Sequence, residues 1–129
     1  MTTVLLDTHT VLWFWWNDSQ LSSTAMTLIC DPSIRKFVSL ATPWEVAIKV
    51  SRKKLDIGGN FTGFFDQHMI RSYFEWLPID TKHLNYVADL PFHHNDPFDR
   101  LIIAQAISEN FPIISIDAQL DAYGVKRLW

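Results

Sequence analysis

Apolar residues in this chain fall into two patterns: short continuous runs closed by Asp, Ser or Pro, and longer stretches repeating at helical spacing. Val4-Leu5-Leu6 is the first short run. It stops at Asp7, and Thr8, His9 and Thr10 offer caps for a helix over residues 11–16. Ser22-Ser23 opens a second helix over 25–30, which Asp31-Pro32 ends because a residue before proline is steered out of helical backbone. Phe37-Val38-Ser39 is the next buried strand, and Thr42-Pro43 starts a helix over 44–52 with proline at its first position. Helical period returns over 61–73. Residues 76–79 form a short strand or extended link, and a helix over 81–89 is opened by Asp80 or Thr81. Residues 112–116 make a strong apolar strand ending at Asp117, and 126–129 a final edge strand. Short apolar strands alternating with helices predict an α/β sandwich around a parallel sheet, whose functional groups gather beyond the carboxyl ends of the strands.

One stretch does not fit a purely structural reading. Residues 93–106 read His-His-Asn-Asp-Pro-Phe-Asp-Arg-Leu-Ile-Ile-Ala-Gln-Ala, two carboxylates three apart at the mouth of a helix that is apolar almost all round. A capping device accounts for both: Asp96 as N-cap, Pro97 at the first position, Asp99 reaching back to the cap. A carboxylate near apolar packing nevertheless costs several kcal/mol unless positive charge meets it. The placement of the other acids bears on this. Asp7 ends the first strand, Glu45 follows the second within a helix, and Asp117 ends the strand over 112–116. Each alone is explained as a helix cap; four at matching positions point to a shared site at one sheet edge. Crowded carboxylates are relieved by protons or divalent cations, and hard oxygen donors suit Mg2+ or Mn2+.

Composition narrows the setting. The 129 residues, 48% hydrophobic and 14% aromatic, suffice for one packed domain and leave no room for a second. A single cysteine, Cys30, excludes an internal disulfide and is read as core; no cysteine pair suggests zinc. The first residues lack a basic region, and Asp7 and His9 break their apolar run, so neither a signal peptide nor a membrane span is expected; a reducing cytoplasm is. With 11 Lys and Arg against 14 Asp and Glu, the net charge of −3 gives no global attraction to nucleic acid, and a polyanion must be held by a local patch or through cations.

The segments Leu5-Leu6-Asp7-Thr8-His9-Thr10-Val11-Leu12-Trp13, Trp44-Glu45-Val46-Ala47-Ile48-Lys49, His94 to Ala106 and Ile114-Ser115-Ile116-Asp117 resemble, in order and over nearly the whole chain, the PIN-domain ribonucleases. More narrowly, they resemble the VapC-type toxins of type II toxin–antitoxin systems, Asp-Pro-Phe-Asp-Arg being the most specific part. The resemblance implies a three-layer sandwich with a central, mostly parallel sheet of four to five short strands flanked by helices. It also implies an endoribonuclease in which Asp7, Glu45, Asp99 and Asp117 carry one or two Mg2+ or Mn2+ ions, with Asp96 in support and Asp121 as the fallback for Asp117. A water activated by the metal would attack the phosphodiester, leaving a 3′-hydroxyl and a 5′-phosphate. A toxin homodimer and a cognate antitoxin are the implied partners.

Other residues keep two readings. Lys49, Arg52, Lys53 and Lys54 either meet RNA phosphates or form a solvated helix end favoured by the macrodipole. Arg100 either neutralises transition-state charge or, the reading favoured here, pairs with Asp96. Trp13, Phe14, Trp15 and Trp16 are consecutive, so one helix face cannot bury them all, and Trp13, Trp15 and Trp16 are candidate partner contacts, an antitoxin by resemblance. His9, His93 and His94 are candidates for metal ligand or general base, or hydrogen-bonding groups beside caps. Two other function classes stand beside the nuclease. A non-catalytic interaction module would use its acids only as caps. A phosphatase of the haloacid dehalogenase type needs a second Asp two residues after the first, where this chain has His9.

Overall fold

A computed structural model describes residues 2–129. In chain order its elements are β1 (Thr3–Leu6), α1 (Thr8–Trp15), α2 (Ser23–Cys30), β2 (Arg35–Ser39), α3 (Ala41–Ser51), α4 (Phe61–Ser72), β3 (Glu75–Leu77), α5 (Thr81–Asp89), α6 (Pro97–Glu109), β4 (Ile113–Ile114), a 3-10 helix (Ala118–Tyr123) and β5 (Arg127–Leu128). The strands form one sheet in the order β3-β2-β1-β4-β5, every pair parallel. In register, Leu6 lies opposite Val38 on one side and Ile114 on the other.

Both faces of the sheet are covered, which is why its strands read as continuous apolar runs. Val4, Leu6, Val38 and Ile114 pack on one face against Val11, Ala25, Ile29 and Met69 of α1, α2 and α4. Leu5, Leu77 and Ile113 pack on the other against Leu101 to Ala104 of α6 and Leu120 of the 3-10 helix. The result is the expected three-layer sandwich, with five strands. The chain steps from β1 outward to β3, then returns to the other side of β1 for β4 and β5. This reversal puts the switch point of the sheet between the carboxyl ends of β1 and β4, where open parallel sheets place their sites.

Several local expectations are corrected. Asp7, not the Thr8–Thr10 stretch, caps α1, its Oδ1 accepting the Thr10 N–H at 2.9 Å. The two threonines are buried instead: the Thr8 and Thr42 hydroxyls bond at 3.0 Å, and that of Thr10 donates to the Ile114 carbonyl at 2.9 Å. Helix α3 begins at Ala41, whose N–H donates to Ser39 Oγ at 3.0 Å, so Thr42 is no cap and Pro43 is third in the helix. Only Ile113 and Ile114 of the run 112–116 are strand. Cys30, expected in the core, is exposed at the end of α2.

Trp15 turns inward. Its ring meets Phe64, Phe65, His68 and Phe74, and its N–H donates to the Ser72 hydroxyl at 2.8 Å, so its surface is spent on packing. Trp13 packs on Trp129 with ring centres 6.0 Å apart, and of the three tryptophans only Trp16 is exposed.

Helix α6 is capped by Asp96 as the sequence predicts, but Asp99 does not reach back to the cap, whose N–H donates instead to His94 Nδ1 at 3.2 Å. Asp96 Oδ1 accepts the N–H groups of Phe98 and Asp99 at 2.9 and 3.0 Å, Pro97 opens the helix, and Asn110 closes it in the left-handed region. Every residue from Arg100 to Ala106 is buried. Arg100 does not pair with Asp96. Its guanidinium donates to the carbonyls of Pro91 (2.9 Å), Leu90 (3.1 Å), His94 (3.3 Å) and Val87 (3.4 Å), and lies 3.9 Å from the ring centre of Phe92. A charge taken out of water is thus solvated by the loop ahead of its own helix. Arg100→Met keeps the volume but strips these acceptors of their donor, and should lower stability by about 2–4 kcal/mol in urea unfolding. A loss near zero would mean that the loop does not depend on the guanidinium.

Candidate metal centre

The acids predicted from the sequence come to the carboxyl edge of the sheet by different routes. Asp7 leaves β1 directly and is 7% exposed. Besides capping α1 it bonds the Ser115 hydroxyl. Burial raises its pKa above the ordinary carboxylate value, against the opposing pull of Ser115, Thr10 and the nearby His9. Glu45 sits one turn into α3, 8% exposed. Its Oε2 is 3.0 Å from the Lys49 ammonium, while its buried Oε1 has no hydrogen-bond partner. An unmet buried carboxylate oxygen is costly, on the order of 1–3 kcal/mol or more.

Asp99 is the third residue of α6, held there by the Asp96 cap. Its pKa is pushed up to about 7, first by burial and then by the charge of Asp96; His94 offsets part of this, and Glu45 and Asp7 add to it. Asp117 arrives from the segment after β4 and caps the 3-10 helix, Oδ1 accepting the Gln119 N–H at 3.0 Å. Its Oδ2 meets His94 Nε2 at 2.8 Å, and Asp99 Oδ2 is 3.2 Å from the same nitrogen. One donor atom from each of His94, Asp99 and Asp117 falls within 4.8 Å of the others.

Asp121, the fallback for the fourth acid, is drawn elsewhere. Its carboxylate is forked by Arg127 at 2.9 and 3.1 Å, which lowers its pKa, and its side chain is 56% exposed. His9 packs at a tilt against Trp13, and His93 meets Tyr123 edge-on. Lys49 is committed to Glu45, whereas Arg52, Lys53 and Lys54 are exposed beyond the end of α3. Sequence reasoning took Thr8 and Thr42 for caps and gave Ser115 no role of its own; all three are buried hydroxyls. Ser115 carried a signal, being a lone polar residue inside an apolar run that ends in Asp117. It bonds Asp7 and also accepts the Asp117 N–H at 3.0 Å, linking the two acids.

This donor set suits a hard divalent cation. The donors within 4.8 Å of one another are two carboxylate oxygens and an imidazole nitrogen, and Asp7 and Glu45 act on Asp99 through their charge; Glu45 leaves one oxygen unpartnered, and burial first and the neighbouring acids second push the pKa of Asp99 up, conditions that a cation relieves.

Proton binding makes the same point testable. Asp99 titrates at about 7 in the fold and near 4 in an unfolded chain, and Asp7 is raised as well. The native protein therefore holds more protons than the unfolded one across that interval. The stability this contributes is complete below about pH 4 and disappears as pH rises through 7. In EDTA, the midpoint of thermal unfolding should fall between about pH 5 and 8, and Asp99→Asn should flatten the fall and gain about 2–5 °C at the upper end. A metal-free midpoint that rises with pH would show that these carboxylates are not under strain.

No helix among the described residues is long and apolar enough to cross a membrane. No curated protein sequence matches the chain. Among solved structures it is similar to VapBC2 from Rickettsia felis, bound to a fragment of its promoter DNA, with a TM-score of 0.71 at 15% identity over 97% of this chain and 96% of that one. It is similar also to FitAcB from Neisseria gonorrhoeae, with a TM-score of 0.65 at 18% identity over 96% and 95% of the two chains. A toxin–antitoxin complex from Klebsiella pneumoniae gives a TM-score of 0.59 at 17% identity over 88% and 86%. At these identities the likeness speaks for the fold. The sequence itself matches the PIN domain family over residues 4–126, nearly the whole length in which the acids and their supports lie, and the chain belongs to that family.

Proposed function

We propose that this chain, acting as a single PIN domain in the cytoplasm, is a Mg2+- or Mn2+-dependent endoribonuclease and the toxin of a type II toxin–antitoxin pair. The observation that carries the reading is the unrelieved negative charge at the sheet's switch point: Asp99 held at about 7 among Asp96, Glu45 and Asp7, beside a Glu45 oxygen without a partner. A merely structural set of caps does not require that strain. The toxin assignment draws on the fold shared with toxin–antitoxin proteins.

Asp7, Glu45, Asp99 and Asp117 would hold the cation. Once bound, it supplies positive charge to the phosphate oxygens and lowers the pKa of a water so that it can attack phosphorus at neutral pH. The protein supplies position. Asp96 keeps Asp99 aimed by capping α6, and the positive end of that helix favours a phosphate nearby. Lys49 balances Glu45 on the side away from its free oxygen. Arg52 and Lys53, exposed at the end of α3, would meet the RNA backbone, and attack of water on phosphorus would break the P–O3′ bond, the 3′ oxygen leaving as a hydroxyl and the phosphate staying on the 5′ side.

An antitoxin is the partner best suited to the surface around Trp16, 42% exposed over a cleft of about 430 Å³ that Ile57, Phe64 and His68 also line. Trp13, partly exposed on the same helix, extends that surface, and the toxin pairs as a homodimer.

Protein freed of any partner should cleave RNA with Mg2+ or Mn2+ and fail in EDTA. Asp7→Asn and Asp99→Asn should each reduce the rate by at least about 100-fold while the circular dichroism spectrum stays unchanged. Calorimetric titration with Mn2+ should show binding to the parent protein and much weaker binding to either variant. Cleavage in EDTA by both variants would overturn the mechanism, and absence of Mn2+ binding would favour a non-catalytic interaction module.

A further inference from the structure

We propose that His94 is the positioning residue of the acid centre and not one of its ligands: its Nδ1 accepts the Asp96 amide, and its Nε2–H ties Asp117 to Asp99. The inference rests on the reading of those acids as cation ligands. By distance alone, His94, Asp99 and Asp117 make a three-donor set, with atoms within 4.8 Å of one another.

The other ring nitrogen excludes ligation through Nε2. Nδ1 lies 3.2 Å from the backbone N–H of Asp96, in hydrogen-bonding geometry. An amide N–H can only donate, so Nδ1 must present its lone pair and the hydrogen of the neutral ring must sit on Nε2. A nitrogen bearing hydrogen has no lone pair for a metal ion. It is instead a donor, directed at Asp117 Oδ2 (2.8 Å) with Asp99 Oδ2 at 3.2 Å. The remaining oxygen of Asp117 is occupied by the Gln119 N–H at 3.0 Å, so Oδ2 is the one that His94 steers.

His94 is itself held before it meets either acid. Its N–H donates to the Tyr123 hydroxyl at 2.8 Å, and that hydroxyl donates to the Pro91 carbonyl at 2.8 Å. Its carbonyl accepts from Arg100 at 3.3 Å. The ring cannot turn over without giving up the Asp96 amide. Placed between two carboxylates from different elements, a fixed N–H counters their repulsion and keeps Asp117 from swinging out to solvent. Groups that orient metal ligands in this way typically contribute about 10–100-fold to metal affinity.

Nitrogen–proton correlation spectra of 15N-labelled imidazoles, taken on metal-free protein at about pH 8, where an ordinary histidine is neutral, read the tautomer directly. The His94 proton is expected on Nε2 with a bare Nδ1, and it should remain there when Mg2+ is added. A proton on Nδ1, or loss of the Nε2 proton on adding Mg2+, would overturn the proposal. In calorimetric titration, His94→Ala should weaken Mn2+ binding by about 10–100-fold, and His94→Gln, which retains an N–H donor, should recover most of it. Tyr123→Phe, which removes the backbone anchor of the ring, should fall between. Unchanged Mn2+ affinity in His94→Ala would also overturn it. If the parent protein binds no Mn2+, the cation reading of the acids fails, and the tautomer spectrum still decides the role of His94.

Discussion

Everything at the working edge of this molecule follows from one constraint: carboxylates are crowded together where water scarcely reaches. Asp7 and Glu45 are both more than nine-tenths buried, and Asp99 stands in the field of both and of Asp96. Coulomb repulsion between such groups is strong because little solvent lies between them. The fold answers with donors: the Ser115 hydroxyl and Thr10 for Asp7, Lys49 for Glu45, His94 for Asp99 and Asp117. Glu45 Oε1 is where the answer stops, and the negative charge there is left short of balance.

The same economy governs the loop before α6. A buried arginine would ordinarily seek a carboxylate, and Asp96 is close along the chain. Asp96 is already spent on the first amides of the helix, so Arg100 turns to carbonyls and to the face of Phe92. Solvating a guanidinium with four carbonyls fixes the path of the chain through all of them, including His94. A charge that the sequence assigned to a pairing with Asp96 is therefore a pin for the chain ahead of α6, and its effect on the acid centre passes through the residue it holds.

What was legible in the sequence depended on local chemistry. The α6 cap, with Asp96, Pro97 and Asp99 in their places, was readable because capping needs only residues a few positions apart. The strands after which Asp7 and Asp117 fall were readable from apolar runs, so the shared edge was too. Long-range partners were not. Arg100 was assigned to Asp96, one helical turn back, because sequence spacing cannot show a ring of carbonyls, and Thr42 was taken for a cap because nothing local reveals that Thr8 would claim its hydroxyl. Cys30 fits the apolar period of α2 yet is exposed as the last residue of that helix, just ahead of its C-cap Asp31. Choosing Asp117 over Asp121 required three dimensions: Arg127, six residues from Asp121, takes that acid out of contention.

The bond from the Thr10 hydroxyl to the Ile114 carbonyl joins residues 104 positions apart. It lies beneath Asp7 and just ahead of Asp117, so the two acids share an edge only when the central strand and the one beside it have met across most of the chain. Contacts of such sequence separation form late, after loop closure has been opposed by a large loss of chain entropy. A partly unfolded chain thus carries all of its acids without the centre they form, and whatever the centre does is tied to completion of folding.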